Sequence, residues 1–285
     1  MSEAEVITRI ENGVGRITLN RPRALNALTQ DMVRAIDAAL TDWAADPAVR
    51  GVLIRGAGEK GLCAGGDVVS LRSSLLAGRF AEAEEFFRDE YAMNERIATY
   101  PKPYVAFMDG VVLGGGMGVS AHGSHRVATE RTRAGMPETA IGFTPDVGGS
   151  FHLARAPFQA GRHLAATSAH ASGSDAVALG LADVFVESAR LDELEQALAA
   201  AFGALGEGLL EQAPDHRRQA HRAGAPLVHP IARGLEAPPK VFRQPDGPHR
   251  HRRRSRGEES GIGTVHDQRP RWLAELFWNR LPIRT

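Results

Sequence analysis

The sequence predicts an α/β core, and three observations lead to this fold class. Short apolar runs bounded by turn residues alternate along the chain with stretches whose apolar residues recur every three or four positions, as in strands and amphipathic helices. The 285 residues, 43% hydrophobic and 24% charged, are enough to bury a sizeable core. The chain shows neither a repeat of fixed period nor an apolar run near the ~18 residues of a membrane span. Coiled-coil, collagen-like and membrane-spanning architectures are therefore excluded.

The first part of the chain predicts a hairpin, a helix and a buried strand. Residues 6–19 form two strands around the turn signal Asn12-Gly13. Thr29 is a helix N-cap, and Asp46-Pro47 ends that helix. Val52, Leu53 and Ile54 then form a short strand before a glycine-rich loop. The apolar positions of the helix share one face: Met32, Val33, Ile36, Ala39, Leu40 and Trp43.

The middle of the chain continues the alternation. We expect a helix over 81–99, ended by Pro101 and Pro103, and a strand over 104–108. A glycine turn then leads into a second helix, and a further strand covers 126–129. After the loop-rich stretch 134–150, we expect a helix over 177–181, a strand over 184–186 and a helix over 191–202.

Charge divides the chain into two regions. Residues 1–205 carry 19 Lys and Arg against 25 Asp and Glu, whereas residues 206–285 carry 15 against 9. The second region also holds nine of the 16 prolines and has little periodicity. We therefore predict a catalytic core over 1–205 and an Arg/Pro/His-rich extension over 206–285 that is poorly folded or solvated. Its basic runs lack a nucleic-acid-binding motif, so no nucleic acid is expected as a partner.

Several kinds of site and location are excluded by composition. The single cysteine, Cys63, rules out an internal disulfide framework and is expected to be a small buried thiol. His122 and His125 lack a third ligand at a recognisable spacing, so no metal site is predicted. The acidic start of the chain has no secretion signal, and together these features predict a cytoplasmic protein without membrane association.

Two glycine-rich segments follow predicted strands. Ala64-Gly65-Gly66-Asp67 is consistent with a tight turn or with a backbone that approaches a ligand. The run 114–118, GGGMG, opens a helix, where free N–H groups could hold an oxyanion, although close helix packing explains it as well. The run 114–118 does not have the spacing of a dinucleotide fingerprint, and no G-K-[ST] follows it as in a P-loop.

Three carboxylates have unusual surroundings. Glu90 lies between Phe86 and Met93 in an apolar helix stripe, so its pKa should be raised unless it is paired. A functional role and a structural hydrogen bond both remain open for it. Glu138 follows Met136-Pro137, and Asp146 lies between Thr144-Pro145 and Gly148-Gly149, on loops of the kind that hold catalytic groups.

Taken together, four segments resemble the crotonase (enoyl-CoA hydratase/isomerase) superfamily. They are ITLNRPRALNAL, the AGGD loop, KPYVAFMDGVVLGGGMG and MPETAIGFTPDVGG, and the resemblance covers roughly residues 5–200. It implies a crotonase-like spiral of β-β-α units. It also implies that the N–H groups of Gly66 and Gly115 hold the thioester oxygen of an acyl-CoA, with no cofactor beyond the coenzyme A of the substrate.

Within the superfamily, the motifs are most similar to those of the subgroup that hydrolyses 3-hydroxyisobutyryl-CoA in valine catabolism. The resemblance implies that Glu138 is the nucleophile or general base, that Asp146 orients the substrate hydroxyl or assists proton transfer, and that Glu90 binds the acyl end. The position at which hydratases of the superfamily carry a second glutamate is Gly118 here, which does not support two-glutamate hydration.

The remaining residues implied for substrate binding are Arg23, Ala24, Ala64 and Asp67, with Arg21 and Arg23 as partners for coenzyme A phosphates or as solvated surface residues. Two alternatives to the hydrolase stay open: an enoyl-CoA hydratase or isomerase that uses Glu138 alone, and a non-catalytic acyl-CoA-binding remnant. A homo-oligomer is one option for assembly. The resemblance stops near Leu205, and the high ratio of arginine to lysine, 31 to 3, leads to the hypothesis that residues 206–285 are frame-shifted or unrelated sequence.

Overall fold

The computed structural model describes residues 4–204, and these form two sheets surrounded by helices. The larger sheet has the strand order β1-β2-β3-β5-β7-β10, and only its β1–β2 pair is antiparallel. The smaller sheet has the order β4-β6-β8-β9, with β8–β9 antiparallel. The strands are Val6–Glu11 (β1), Val14–Leu19 (β2), Gly51–Gly56 (β3), Gly61–Cys63 (β4), Tyr104–Met108 (β5), Val111–Leu113 (β6), His125–Ala128 (β7), Arg133–Gly135 (β8), Ala171–Ser172 (β9) and Val184–Phe185 (β10).

From β3 to β8, successive strands of the chain alternate between the two sheets. The pairs β3–β4, β5–β6 and β7–β8 each place one strand in the larger sheet and the next in the smaller, and helices follow them. These are the β-β-α units that the sequence resemblance implies. The helices are Gln30–Ala45 (α1), Val68–Leu76 (α2), Phe80–Ala98 (α3), Gly115–Ala121 (α4), Gly149–Leu153 (α5), Ala160–Thr167 (α6), Gly173–Ala178 (α7) and Leu191–Ala204 (α8).

Both faces of the larger sheet are covered, which explains its continuous apolar strands. On β5, Tyr104, Ala106 and Met108 face the main core with α1, α3 and the smaller sheet. The alternate residues Val105 and Phe107 face a second core that α8 closes. Because side chains alternate along a strand, a strand between two cores needs apolar residues at every position.

The long elements confirm the sequence predictions. The hairpin turns at Asn12 and Gly13, which both have positive φ, and the Thr29 hydroxyl accepts a hydrogen bond of 3.2 Å from the Met32 N–H at the start of α1. The predicted strand over 104–108 has the bounds of β5, and α8 covers the predicted helix over 191–202. The strand predicted over 126–129 lies one residue earlier, at β7.

The short elements differ from the predictions. The helix expected over 177–181 is instead α7, Gly173–Ala178, because Ser172 caps it from the N-terminal side and Gly180 has a φ of +73°. The loop expected over 134–150 contains a 3-10 turn, Glu138–Ile141, and the start of α5. Strands β4, β6, β8 and β9 have only two or three residues each, too few for periodicity to predict. The extension predicted over 206–285 lies outside the described residues, and so the boundary at 205/206 stays a prediction.

Candidate active site

Two backbone segments meet at the centre of the candidate site. The loop after β4 contains Gly65 and Gly66, and α4 begins at Gly115. A Cβ atom placed on Gly115 would lie 3.2 Å from the backbone nitrogen of Gly66, and one placed on Gly65 would lie 3.6 Å from the nitrogen of Gly115. The structure therefore brings together the two residues whose N–H groups the sequence singled out.

The hydrogen bonds that fix these segments use neighbouring residues. The Leu28 N–H donates to the Gly65 carbonyl, and the Asp67 N–H donates to the Leu28 carbonyl, so that the loop is paired on both sides of Gly66. In the first turn of α4, the N–H groups of Met117 and Gly118 donate to the Gly114 carbonyl. At the start of a helix the first N–H groups have no acceptor within the helix, and Gly115 occupies that position.

Glu138 approaches the same turn from the loop after β8. Its Oε1 lies 2.8 Å from where a Cβ of Gly114 would be, and Gly114 has a φ of +51°. Position 114 thus requires glycine for two reasons: the backbone has a positive φ, and a Cβ would clash with the Glu138 carboxyl group. Glu138 is 7% exposed, and its Oε2 lacks a hydrogen-bond partner within the described residues.

Burial raises the pKa of Glu138 from its ordinary value of 4.5 to about 7. Its backbone hydrogen bond opposes this shift, and the negative charge of Asp146 adds to it. A carboxyl group with a pKa near 7 is available both as a base and as an acid at neutral pH.

Asp146 and Glu90 complete an acidic cluster. Tyr91 donates a hydrogen bond of 2.8 Å to Asp146 Oδ2, and although this bond favours the ionised form, burial raises the pKa of Asp146 from 3.8 to about 6. Glu90 is buried on α3, and its pKa lies well above the ordinary value because of burial, first, and then the charges of Asp146 and Glu138. Three carboxyl groups in one site will not all be ionised at neutral pH.

Glu90 also lies next to the two glycines. Its Oε1 would be 2.5 Å from a Cβ on Gly115, and this oxygen has no hydrogen-bond partner in the described part of the chain. The structural hydrogen bond that the sequence left open for the Glu90 carboxyl group is thus not formed at Oε1 by any of residues 4–204. A protonated Glu90 can donate a hydrogen bond at this position.

The other predicted binding residues lie around the loop after β4. The Ala64 N–H donates to the Leu25 carbonyl, 3.0 Å away, and this joins the loop to the 3-10 turn Pro22–Ala24 that carries Arg23 and Ala24. Arg23 is exposed, as a coenzyme A phosphate partner would need to be.

Asp67 and Arg21 pair with each other. Asp67 caps α2 through the Ser70 N–H, and Arg21 Nη2 lies 2.7 Å from Asp67 Oδ2. Burial disfavours ionisation of Asp67, but the Ser70 N–H and the Arg21 guanidinium outweigh it and hold the pKa of Asp67 below its ordinary value. Asp67 and Arg21 therefore already stabilise the fold, and any contact that they make with the substrate would be in addition to this ion pair.

Two polar side chains of the site were not predicted from the sequence. Tyr91 contacts Asp146 from 55 positions away in sequence, and no local pattern signals this contact. Asn94 is 5% exposed and lies four residues after Glu90, on the same face of α3. A second polar residue at helical spacing in the apolar stripe was the signal that could have identified it.

The site differs from a two-glutamate arrangement at Gly118. A Cβ on Gly118 would lie 2.8 Å from Asn94 Oδ1 and 2.9 Å from Val147 Cβ, so the space for a side chain is already filled. Cys63 is buried with its pKa raised to about 12, mainly by burial, as expected for an unreactive thiol. Within residues 4–204, no three His, Cys, Asp or Glu side chains are grouped as metal ligands.

Comparison with known proteins bears out the resemblance. The enoyl-CoA hydratase/isomerase family matches residues 14–234. The mitochondrial 3-hydroxyisobutyryl-CoA hydrolase of Xenopus tropicalis is 50% identical over 186 residues, which cover 65% of this chain and 48% of the relative. The probable 3-hydroxyisobutyryl-CoA hydrolase 3 of Arabidopsis thaliana is 41% identical over 194 residues, 68% of this chain and 51% of the relative. The chain thus spans about half the length of these curated relatives.

Solved structures confirm the predicted fold class. A carnitinyl-CoA dehydratase from Mycobacterium thermoresistibile superposes with a TM-score of 0.69 at 50% identity, covering 70% of this chain and 59% of the other. An enoyl-CoA hydratase from Rhodobacter sphaeroides has a TM-score of 0.69 at 44% identity, with coverages of 77% and 64%.

Proposed function

Because this chain belongs to the enoyl-CoA hydratase/isomerase family, we propose that it binds an acyl-CoA and hydrolyses the thioester. The proposed substrate is 3-hydroxyisobutyryl-CoA or a similar short hydroxyacyl-CoA, and the products are the free acid and coenzyme A. The observation that carries the proposal is the position of Glu138. Its Oε1 lies 2.8 Å from where a Cβ of Gly114 would be, next to Gly115, and its Oε2 has no hydrogen-bond partner within the described residues. Gly118 leaves no room for a second catalytic carboxylate. The names of the relatives support the choice of substrate.

The backbone N–H groups of Gly66 and Gly115 would donate hydrogen bonds to the thioester oxygen and stabilise the negative charge that develops on it. Donors that are already in place stabilise such charge without reorganisation, and removal of one typically costs about 10²–10³ in rate. The hydrogen bonds of Leu28 and Asp67 hold the first of these segments, and the first turn of α4 holds the second.

Glu138 would then drive cleavage by one of two routes. In the first, its carboxylate oxygen adds to the carbonyl carbon, the C–S bond breaks, coenzyme A leaves as a thiolate that takes up a proton, and water hydrolyses the mixed anhydride. In the second, Glu138 takes a proton from a water molecule whose oxygen adds to the same carbon, the C–S bond then breaks, and the coenzyme A thiolate takes up that proton. Asp146, held by Tyr91, would assist the proton transfer, and Glu90 would bind the acyl end.

Thiol release and enoyl absorbance, measured in parallel, test this function. The full-length chain should release free thiol from 3-hydroxyisobutyryl-CoA and should leave crotonyl-CoA unchanged. Consumption of crotonyl-CoA without thiol release would instead identify a hydratase, and binding without either reaction would identify a non-catalytic acyl-CoA-binding protein. Addition of hydroxylamine separates the two routes, because only an anhydride on Glu138 would be trapped as a hydroxamate of that residue.

The biological setting is a further part of the proposal. A 3-hydroxyisobutyryl-CoA hydrolase would act in the breakdown of valine, with no cofactor beyond the coenzyme A of its substrate. In the part of the chain that the structure describes, no helix combines the length and the apolar character needed to cross a bilayer. The cytoplasmic location stays a prediction, and the vertebrate relatives are named mitochondrial. Fractionation of the cells that produce the chain would decide between the two compartments.

A further inference from the structure

Asn94 is a buried amide with unused hydrogen-bonding capacity. It is 5% exposed, and neither its Oδ1 nor its Nδ2 has a hydrogen-bond partner within residues 4–204. A side-chain amide offers two donor hydrogens and two acceptor positions, and leaving them unused in the protein interior is costly. A buried polar group of this kind calls for a hydrogen-bond partner, and residues 4–204 do not supply one.

The position of Asn94 relates it to the thioester site. Asn94 Oδ1 and Nδ2 would lie 2.8 and 3.1 Å from a Cβ on Gly118, while Glu90, one turn earlier on α3, approaches Gly115. Helices α3 and α4 therefore contact each other at two positions along their length: Glu90 packs against Gly115, and Asn94 packs against Gly118. Residues three or four apart on a helix are about 5–6 Å apart, which is comparable to the length of a four-carbon acyl group.

We propose that Asn94 binds the hydroxyl group of the acyl chain and so selects hydroxyacyl over plain acyl thioesters. This inference rests on the proposed function, which puts the thioester carbonyl at Gly115. From there an acyl chain directed along α4 brings its third carbon toward Gly118. An amide can donate to a hydroxyl oxygen and accept from its hydrogen at once, whereas a methyl group at that place would leave the amide unsatisfied.

Packing around Gly118 restricts this subsite to a short chain. The Val147 Cβ would lie 2.9 Å from a Cβ on Gly118, about as close as the amide oxygen of Asn94. Because these side chains already fill the space beside Gly118, a long alkyl chain has no room there, and only a small polar group at the edge of this packing can contact the amide. The sequence resemblance implied that Asp146 orients the substrate hydroxyl or assists proton transfer. Asp146 Oδ2 already accepts the hydrogen bond of Tyr91, whereas neither polar atom of Asn94 has a partner in the described part of the chain.

Substrate discrimination by Asn94→Leu tests the proposal. Leucine has the same branched arrangement of four side-chain heavy atoms as asparagine and no polar atoms, although its methyl groups are larger. We expect kcat/KM for 3-hydroxyisobutyryl-CoA to fall about tenfold, because a lost neutral hydrogen bond typically costs up to about this factor. For isobutyryl-CoA, kcat/KM should change by less than about threefold. The control is Glu95→Gln, an exposed neighbour on α3, which should alter neither value. Equal losses on both substrates, or no loss on either, would overturn the proposal.

A binding measurement keeps this test separate from the proposed function. Calorimetry with both acyl-CoA compounds on a Glu138→Gln background should show tighter binding of the hydroxylated one, and Asn94→Leu should abolish the difference. Failure of the wild-type chain to release thiol would refute the hydrolase but would leave this binding preference to be measured. Circular dichroism checks the fold. If the leucine variant does not fold, Asn94→Ser should reduce the preference at least about threefold, and an unchanged preference would refute the inference.

Discussion

The burial of Glu138 predicts that its replacement by glutamine stabilises the protein at alkaline pH. A carboxyl group whose pKa is raised on folding binds its proton more tightly in the folded than in the unfolded state. Below pH 4.5 the Glu138 carboxyl group is protonated in both the folded and the unfolded state, and it does not lower the free energy of unfolding. As the pH rises toward 7 and above, the folded protein must hold the charge in a buried position, and its stability falls. Glu138→Gln removes this cost.

The pKa of Glu138 sets the expected magnitude. It rises from 4.5 to about 7, and each pH unit corresponds to about 1.4 kcal/mol. The maximum effect is therefore about 3 kcal/mol, and screening by the solvent that reaches the site reduces it, so that about 1–3 kcal/mol is expected at pH 8. At pH 5 the difference between the wild type and Glu138→Gln should fall below about 1 kcal/mol.

Urea unfolding followed by circular dichroism at pH 5 and pH 8 gives this difference. The matched control is Glu130→Gln, because Glu130 is exposed and accepts hydrogen bonds from Ser188 that hold its pKa below the ordinary value. A lowered pKa contributes stability at high pH, so this control should lose stability or stay unchanged at pH 8. Destabilisation of Glu138→Gln at pH 8 would mean that the carboxylate is stabilised by its site, and the account of its pKa would be wrong.

Three further substitutions test other parts of the site. Gly115→Ala places a methyl group against the Gly66 nitrogen and should lower kcat/KM for thiol release by at least about 100-fold. Gly203→Ala on α8, where the methyl group makes only an ordinary contact of 3.8 Å with the Asn12 carbonyl oxygen, should leave it unchanged. Tyr91→Phe removes the hydrogen bond that favours ionised Asp146, so an NMR titration should show the pKa of that carboxyl above about 6; a lower value would contradict this. Gly118→Glu should not create hydration of crotonyl-CoA and should lower the Tm, because other side chains fill the space; hydratase activity would refute that packing.

The sequence predicts the larger sheet better than the smaller one for a physical reason. Strands such as β5 lie between two cores and are apolar at every position, and α1 carries both a cap and a one-sided apolar face, so local patterns identify them. The strands of the smaller sheet are short, and their positions depend on the parallel pairing of β4, β6 and β8. Pairing between distant segments leaves little trace in local periodicity.

The candidate site divides in the same way. Glu90 stands out in the sequence because a carboxylate interrupts an apolar stripe, and the glycine turn at 114–116 because of its composition. Other features of the site depend on how α3, α4 and the loop after β8 pack. They are the contact between Glu138 and Gly114 and the position of Asn94 next to Gly118. No spacing rule predicts contacts between segments separated by more than twenty residues.

The structure of Glu138→Gln with 3-hydroxyisobutyryl-CoA bound is the most direct test of the account. The thioester oxygen should lie 2.7–3.1 Å from the backbone nitrogens of both Gly66 and Gly115, the range expected for oxyanion donors. The side chain at 138 should lie about 3–3.5 Å from the carbonyl carbon. Alternatively, it should lie at that distance from a water molecule that is itself about 3–3.5 Å from the carbonyl carbon. A thioester bound away from either nitrogen, or beyond the reach of residue 138, would contradict the proposed chemistry.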